Sequence, residues 1–193
     1  GWIEELLAEE KPEHIDNLAE YQNSVAKIKQ HVNRAGTITH RLLGFSRKIS
    51  AEYDVQVNEV LKETLSFLEN EAHGNNIALN LQLDENLPTI RTEGSQVQQV
   101  LLNLIENALD AVGSDGQIDI ITTRTKDELH VQIADNGPGI KPEVMKKLWE
   151  PFFTTKEPGK GTGLGLSICS DIAHKLGGTI TAENRPQGGA VFT

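Results

Sequence analysis

Two asparagines four residues apart are the first side chains in this sequence whose spacing could do chemistry. Asn103 and Asn107 interrupt a run, residues 101–111, that is otherwise largely apolar. If the run is a helix, side chains four residues apart project from the same face. Their neutral amide oxygens could bind a magnesium ion that keeps its charge for phosphates, or both amides could be hydrogen-bonded helix-surface groups. Taken alone, the pair favours the second interpretation.

A glycine-containing turn with an acidic first residue follows a predicted strand. The segment is Asp135-Asn136-Gly137-Pro138-Gly139. Glycines let a ligand approach the backbone closely, and a carboxylate held there can accept a hydrogen bond from an exocyclic amine such as that of adenine. The same residues also make a favourable turn without any ligand.

A third cluster of glycines, residues 159–165, leads directly into a predicted helix. The free N–H groups of a helix N-terminus can bind phosphate oxygens, although the spacing is not that of a Walker loop. Residues 141–160 contain five Lys against three Glu, a local charge of +2 in a chain of net charge −10. Within them, the segment Glu150–Lys156 contains two Phe, two Thr and a Lys. It predicts a loop that packs through its aromatic rings and reaches phosphates through Lys156.

The elements that must position these groups fall into two regions, divided near Ser50. From Lys11 to Ile49, apolar residues recur at spacings of three and four, which predicts a long amphipathic helix. The apolar residues 2–7 predict the end of a preceding helix. Such a hairpin leaves an apolar face open, and pairing with a second copy would complete a four-helix bundle. The alternative is a helix packed on the downstream region.

After Ser50 the pattern predicts mixed helices and strands. Val57 to Leu68 indicates a helix, and the alternation of apolar residues at 77, 79, 81 and 83 indicates a strand with one buried face. Further helices are predicted at 95–112, 142–149 and 164–176, and further strands at 117–123, 128–135, 179–183 and 189–193. This order suggests helices layered on one face of a sheet.

Composition narrows the possible classes. The 193 residues are 37% hydrophobic and 24% charged, which is typical of a globular chain of one or two domains. The charge of −10 argues against nucleic acid or an anionic membrane as a partner. Cys169 is the single cysteine, so no intrachain disulfide forms. The sequence has neither a membrane-spanning apolar run nor a signal peptide, so we expect a cytoplasmic piece, while a membrane-tethered parent stays open.

The order of these motifs resembles the ATP-binding domain of sensor histidine kinases, in the superfamily shared with gyrase and MutL. Residues 103–111 match the family's N box, residues 135–139 its first glycine box, residues 150–156 its phenylalanine box and residues 161–165 its second glycine box. Residues 37–47 resemble the end of the second helix of the dimerisation and phosphotransfer domain. The resemblance implies an α+β fold: a helical hairpin over 1–50, forming a dimeric four-helix bundle, then an α/β sandwich ATP-binding domain over 51–193.

The resemblance also implies a role for each matching residue. Asn107 would coordinate Mg²⁺, with Asn103 supporting the nucleotide, and Asp135 would bind the adenine amine. Phe152 to Lys160 would form a lid over ATP, with Lys156 as its cation. Gly137 and Gly139 would give the adenine base room. Backbone N–H groups of the second glycine box would bind the phosphates, namely those of Gly161, Thr162, Gly163, Leu164 and Gly165.

Two departures from the family pattern bear on activity. The ATPase branch has a glutamate general base where this chain has Asn103, and an amide cannot take a proton from water, so phosphotransfer is favoured over hydrolysis. The family's phosphoacceptor is a histidine followed by an acidic residue, and none of the six histidines fits. The chain begins inside an apolar helical pattern without Met, so we expect an excised piece whose acceptor lies upstream of Gly1. A degenerate kinase using His40 is the alternative.

The resemblance therefore implies the catalytic core of a sensor histidine kinase. It would bind ATP with Mg²⁺ and pass the γ-phosphoryl to a histidine, for relay to an aspartate of a response regulator receiver domain. This piece alone would bind ATP without phosphorylating itself. Two other functions remain open: an ATP-binding dimerisation module without transfer, and a serine kinase of the anti-sigma type.

Overall fold

The structure, a computed structural model, describes residues 52–157 and 161–193. The predicted dimerising hairpin, residues 1–50, and the part of the predicted lid at 158–160 lie outside the described residues. Across the two described ranges, no helix combines the length and apolar character needed to cross a bilayer.

Four helices are described: α1 (Val57–Gly74), α2 (Gly94–Val112), α3 (Pro142–Met145) and α4 (Gly165–Lys175). Helix α1 buries Leu61, Leu65 and Leu68, which lie at spacings of four and three along one face. Helix α2 packs between α1 and α4. The helices predicted at 57–68, 95–112 and 164–176 are confirmed, with α1 extending about two turns further than its apolar pattern.

Within residues 52–157 and 161–193, seven strands form two sheets: β1 (Tyr53–Val55), β2 (Ala78–Leu83), β3 (Ile90–Thr92), β4 (Gln117–Arg124), β5 (Leu129–Asp135), β6 (Ala182–Asn184) and β7 (Ala190–Phe192). Strands β1 and β3 pair antiparallel as a two-stranded sheet. The other five form a mixed sheet of order β2-β4-β5-β7-β6, in which β2 and β4 are parallel and the remaining neighbours antiparallel.

The core lies between the helices and the five-stranded sheet. Along β4 every second residue is buried, namely Ile118, Ile120 and Thr122, and α2 contacts both β4 and β5. Ile105 of α2 is completely buried. This layering of helices on a sheet confirms the α+β class, and it places α2 next to the end of β5.

Three details differ from the sequence prediction. Leu81 of β2 is 46% exposed, so the predicted buried face is wrong there; β2 is an edge strand that the helical layer covers only in part. Helix α3 ends at Met145, and the turn that follows lets Trp149 pack edge-on against Phe192 of β7 at 6.4 Å between ring centroids. Strand β6 begins at Ala182, although backbone hydrogen bonds between Thr181 and Thr193 continue its ladder.

Candidate functional site

The two asparagines of α2 lie one helical turn apart, and Asn103 lies beside the start of α4. Asn103 is only 4% exposed, and Asn107 is half-buried. A methyl group placed on Gly165, the first residue of α4, would lie 3.5 Å from the Oδ1 atom of Asn103. The structure therefore brings the first and the third predicted motifs together.

Asp135 lies at the end of β5 with its carboxylate held in one orientation. The side chain is buried, and Oδ1 accepts hydrogen bonds from the N–H groups of Gly137 at 2.8 Å and Ala190 at 3.3 Å. Among the described residues, none donates a hydrogen bond to Oδ2. One carboxylate oxygen is thus fixed by backbone, and the other is left for a donor from a ligand.

The loop after Asp135 packs against the end of α2. A methyl group on Gly137 would lie 2.9 Å from the carbonyl oxygen of Ala111, the last but one residue of α2. Gly139 adopts a positive φ of 75°, and a methyl group there would lie 2.9 Å from the Oδ1 atom of Asn184. The loop therefore has backbone or side-chain neighbours on both sides.

The glycine loop before α4 packs on the phenylalanine segment. Gly163 adopts φ of 66°, and a side chain at this position would overlap the carbonyl group of Phe152, so only glycine fits here. Phe152 itself has φ of 65° and is 75% exposed, whereas Phe153 is half-buried. The prediction that both rings pack the loop is therefore wrong for Phe152, because its unusual backbone conformation directs the ring into solvent.

Lys156 reaches from this loop to α2. Its Nζ atom forms an ion pair with the Oδ2 atom of Asp110, three residues beyond Asn107 and on the same helix face. The Lys156 and Asp110 side chains are 37% and 53% exposed. An ion pair this exposed is weak, so a phosphate group could displace the carboxylate.

The N-terminus of α4 offers backbone donors. Its N-cap residue, Leu164, provides no side-chain cap, and the first N–H groups of any helix lack intrahelical partners. The N–H group of Leu164 donates to the Oγ1 atom of Thr162 at 3.4 Å, a long bond that leaves the loop able to rearrange around an anion. This end of α4 therefore has the donors that an anionic ligand needs.

Two carboxyl groups near these elements titrate away from their ordinary range. Partial burial raises the pKa of Glu71, and the nearby carboxylates of Asp110 and Glu106 raise it further. A hydrogen bond from Asn80 lowers the pKa of Asp119, and Gln117 and Arg185 lower it in the same direction against the opposing effect of burial. The carboxylates of Glu71, Glu106 and Asp110 thus concentrate negative charge where α1 meets α2, and Asp110 is also the partner of Lys156.

All the predicted site residues are described, and they form two groups that adjoin α2. One group is Asp135, Gly137 and Gly139, whose loop packs on Ala111 of α2. The other is Lys156 and residues 161–165, which reach α2 through Asp110 and through Gly165 beside Asn103. Asn107 lies on α2 between Asn103 and Asp110. Sequence reasoning missed Asp110, although it lies inside the asparagine motif. It also missed Asn184, Arg185 and Gly189, whose only signal was the Gly188-Gly189 pair of a turn. Nothing in their spacing connects them with Asp135, about 50 residues earlier.

A mixed sheet covered by helices, with a buried carboxylate at a strand end and a helix N-terminus that lacks a side-chain cap, is the arrangement expected of a nucleotide-binding domain. Residues 92–193, more than half of the chain, match the family described as histidine kinase-, DNA gyrase B- and HSP90-like ATPases. The chain belongs to this family and contains the ATP-binding domain of a sensor histidine kinase.

Curated relatives include sensor proteins of several bacteria. Sensor protein TdiS of Thauera aromatica is 32% identical over 187 residues, covering 93% of this chain and 34% of that protein. Sensor kinase CckA of Brucella abortus is 35% identical over 187 residues, covering 87% of this chain and 19% of that protein. The chain thus spans about a third or less of the length of these relatives.

Solved structures of histidine kinases share the fold. The nucleotide-free catalytic domain of histidine kinase ThkA is 35% identical with a TM-score of 0.67, covering 73% of this chain and 91% of that chain. ThkA in complex with the response regulator protein TrrA is 29% identical with a TM-score of 0.66, covering 95% of this chain and 51% of that chain.

Proposed function

We propose that this chain binds ATP with Mg²⁺ and catalyses transfer of the γ-phosphoryl group to a histidine, for relay to an aspartate of a response regulator. The observation that carries the proposal is the arrangement around α2: a base-side carboxylate, a pair of amides and a phosphate-side helix end all adjoin this one helix. Each group taken alone has an ordinary structural explanation. Their convergence on one helix matches the needs of a nucleoside triphosphate.

Asp135 recognises the adenine amine in this proposal. Its Oδ1 atom is already bonded to two backbone N–H groups, so Oδ2 is the atom that accepts the amine proton. Because the carboxylate is buried, a base without the amine would leave Oδ2 desolvated and unpaired, which costs binding energy. The site therefore selects adenine over a purine without the amine.

The phosphates lie between the N-terminus of α4 and Lys156. The N–H groups of residues 161–165 bind phosphate oxygens, and the Lys156 ammonium leaves Asp110 to contact them. Asn107 is the proposed ligand of Mg²⁺, because its half-buried amide offers a neutral oxygen beside the phosphate side of the site. When bound, Mg²⁺ neutralises charge on the phosphate groups.

Asn103 explains why transfer is favoured over hydrolysis. The side chain is buried next to α4 and, as an amide, cannot accept a proton from an attacking water. For transfer, the lone pair of a neutral acceptor imidazole must lie in line with the γ-phosphorus. The P–N bond forms as the bond between the γ-phosphorus and the β-phosphate oxygen breaks, ADP leaves, and the proton on the other ring nitrogen passes to solvent water. Positioning and electrostatic stabilisation supply the catalysis.

The acceptor and the partners belong to the proposal as well. No histidine of this chain is followed by an acidic residue, so the proposed acceptor is a histidine of a dimerising hairpin other than these six. The proposed partners are a second copy of the chain and a receiver domain, and the complex of the similar kinase ThkA with TrrA supports the second. The use of ATP implies a cytoplasmic location.

A transfer assay tests this proposal. The chain is incubated with γ-labelled ATP and Mg²⁺ together with a separate hairpin that carries a histidine acceptor, and the labelled residue is identified by its acid stability. We expect acid-labile label on the hairpin histidine. Acid-stable label on serine would instead indicate a serine kinase, and ATP binding without any label would indicate a non-enzymatic module.

A further inference from the structure

The turn between β6 and β7, residues 184–190, lies directly against Asp135. Gly189 adopts φ of 87°, and a side chain there would overlap the Asp135 carbonyl group, so the two backbones are in close contact. The next N–H group, of Ala190, donates to Oδ1 of Asp135. The turn therefore contacts both the main chain and the carboxylate of Asp135.

Arg185 connects this turn to two strands through one guanidinium group. Its Nη1 atom donates to the carbonyl oxygen of Asp135 at 3.1 Å, and its Nη2 atom donates to Oδ2 of Asp119 on β4, also at 3.1 Å. The Arg185 and Asp119 side chains are only 26% and 14% exposed. Charge-assisted hydrogen bonds shielded to this degree are stronger than those of surface pairs.

The partner of Arg185 is itself held in place. Asp119 accepts a hydrogen bond from the Nδ2 atom of Asn80 at 2.9 Å and another from the side chain of Gln117. These bonds and Arg185 keep the pKa of Asp119 low, so this carboxylate remains charged at neutral pH. The guanidinium is therefore fixed at one end by a constrained anion and at the other by the backbone of Asp135.

Asn184 binds the other end of the loop that follows Asp135, at Ile140. Its Nδ2 atom donates to the carbonyl oxygen of Ile140, and its Oδ1 atom accepts from the Ile140 N–H group, both at 2.7 Å. Arg185 and Asn184 are neighbours in the turn, and they bind Asp135 and Ile140 respectively. The loop between Asp135 and Ile140 is therefore held at both ends by one short turn.

We propose that Arg185 is a positioning residue for recognition of the base, acting through the Asp135 main chain so that Oδ2 points at the exocyclic amine. This inference rests on the proposed function and adds a residue to the same site. A hydrogen bond to one atom of a ligand is selective only when the acceptor cannot turn away, and the Arg185 bridge restricts the residue that carries it. Lysine cannot replace the arginine, because an ammonium on a flexible chain does not present two donors in a fixed fork.

The test measures how strongly the site distinguishes an amine-bearing base from one without it. Dissociation constants of ATP–Mg and of purine riboside triphosphate–Mg, which lacks the amine, are measured by competition against a fluorescent nucleotide. The full 193-residue chain is compared with its Arg185→Lys and Asp119→Asn variants. Arg124→Lys is the matched control, because Arg124 is exposed at the opposite end of β4.

Arg185→Lys should weaken ATP binding by about three- to tenfold, the loss expected for one charge-assisted hydrogen bond, and leave binding of the amine-free analogue nearly unchanged. The ratio of the analogue's dissociation constant to that of ATP should therefore fall in Arg185→Lys. Asp119→Asn should lower this ratio by less, and Arg124→Lys should not change it. An unchanged ratio, or an equal loss for both nucleotides, overturns the inference while the proposed function stands. A parent chain that binds neither nucleotide overturns both.

Discussion

Asp135 is the residue proposed to recognise the base. Asp135→Ala removes the free Oδ2 acceptor and the two backbone hydrogen bonds of Oδ1, so we expect ATP–Mg affinity to fall by about a hundredfold or more. Titration calorimetry measures the loss. Asp127→Ala, which removes an exposed carboxylate from the turn between β4 and β5, is the control and should bind as the parent does. If Asp135→Ala also binds like the parent, the base is recognised elsewhere.

Asn107 is the residue proposed to couple Mg²⁺ to the nucleotide. Asn107→Ala deletes the proposed ligand, and we expect ATP to bind at least about tenfold more weakly when Mg²⁺ is present. The difference in ATP affinity between titrations with Mg²⁺ and titrations with EDTA should also become smaller. The comparison is a pair of titrations, with and without Mg²⁺, for the variant and for Asn70→Ala on the exposed face of α1. A variant that keeps the full Mg²⁺ advantage would show that another group holds the metal.

The phenylalanine segment, residues 150–156, is the element proposed to exchange an ion-pair partner when ATP binds. In the structure the Lys156 ammonium is paired with Asp110 of α2, so in the proposed binding mode ATP competes with a carboxylate. Asp110→Asn removes the competitor, and because the pair is exposed we expect ATP to bind tighter by no more than about fivefold. The gain should fade as salt is raised, since screening weakens the pair in the parent.

The control for this exchange is the double variant. In Asp110→Asn with Lys156→Ala, the lysine that was to be freed is absent, so the gain should disappear. Weaker ATP binding by Asp110→Asn alone would contradict the exchange. It would indicate instead that Asp110 holds the lysine in its productive position.

The stability of the fold should depend on pH through a carboxyl group at the contact between α1 and α2. Burial and the carboxylates of Asp110 and Glu106 raise the pKa of Glu71 above its unfolded value of about 4.3, so the folded state binds this proton more tightly than the unfolded state does. The stability that the protonated group contributes is complete below about pH 4.3 and is lost as the pH rises through the folded-state pKa.

Glu71→Gln should therefore stabilise the fold at pH 7 and leave it unchanged near pH 4. The burial of Glu71 is only partial and much of its surface stays exposed to solvent, so the gain should stay within about 0.5 kcal/mol, or one to two degrees in Tm. Thermal unfolding at both pH values measures it, with Glu69→Gln on the same helix as the control. A gain of the same size at pH 4 would show that the charge of Glu71 is not its cause.

At the scale of the whole molecule, the sequence predicted the parts of the fold that follow from regular patterns. The three- and four-residue apolar spacing of α1, α2 and α4, and the alternation along β4, identify their own elements. The sequence did not predict the small sheet, because β1 and β3 have three residues each and pair with partners far along the chain, such as Tyr53 with Thr92. Leu81 fits the alternation but lies on an edge strand, and edge position depends on strand order rather than on local sequence.

The candidate site divides in the same way. Its glycines, asparagines and Asp135 form contiguous motifs, so their types and spacing were visible in the chain. The contacts that position them were not, because they join residues far apart in sequence: Lys156 with Asp110, and Arg185 with Asp135. Only the fold brings these pairs together, and their individual residue types are common on any protein surface.

In the proposed reaction the γ-phosphoryl of bound ATP goes to histidine and not to water. The decisive measurement is how consumed ATP divides between phosphohistidine on a separately supplied acceptor hairpin and inorganic phosphate in solution. With Asn103 unable to act as a base, we predict that most of the γ-phosphoryl consumed is recovered on histidine and that both products vanish with Asp135→Ala. If ATP is consumed to inorganic phosphate and no phosphohistidine forms on the hairpin, transfer to histidine is not the reaction of this site.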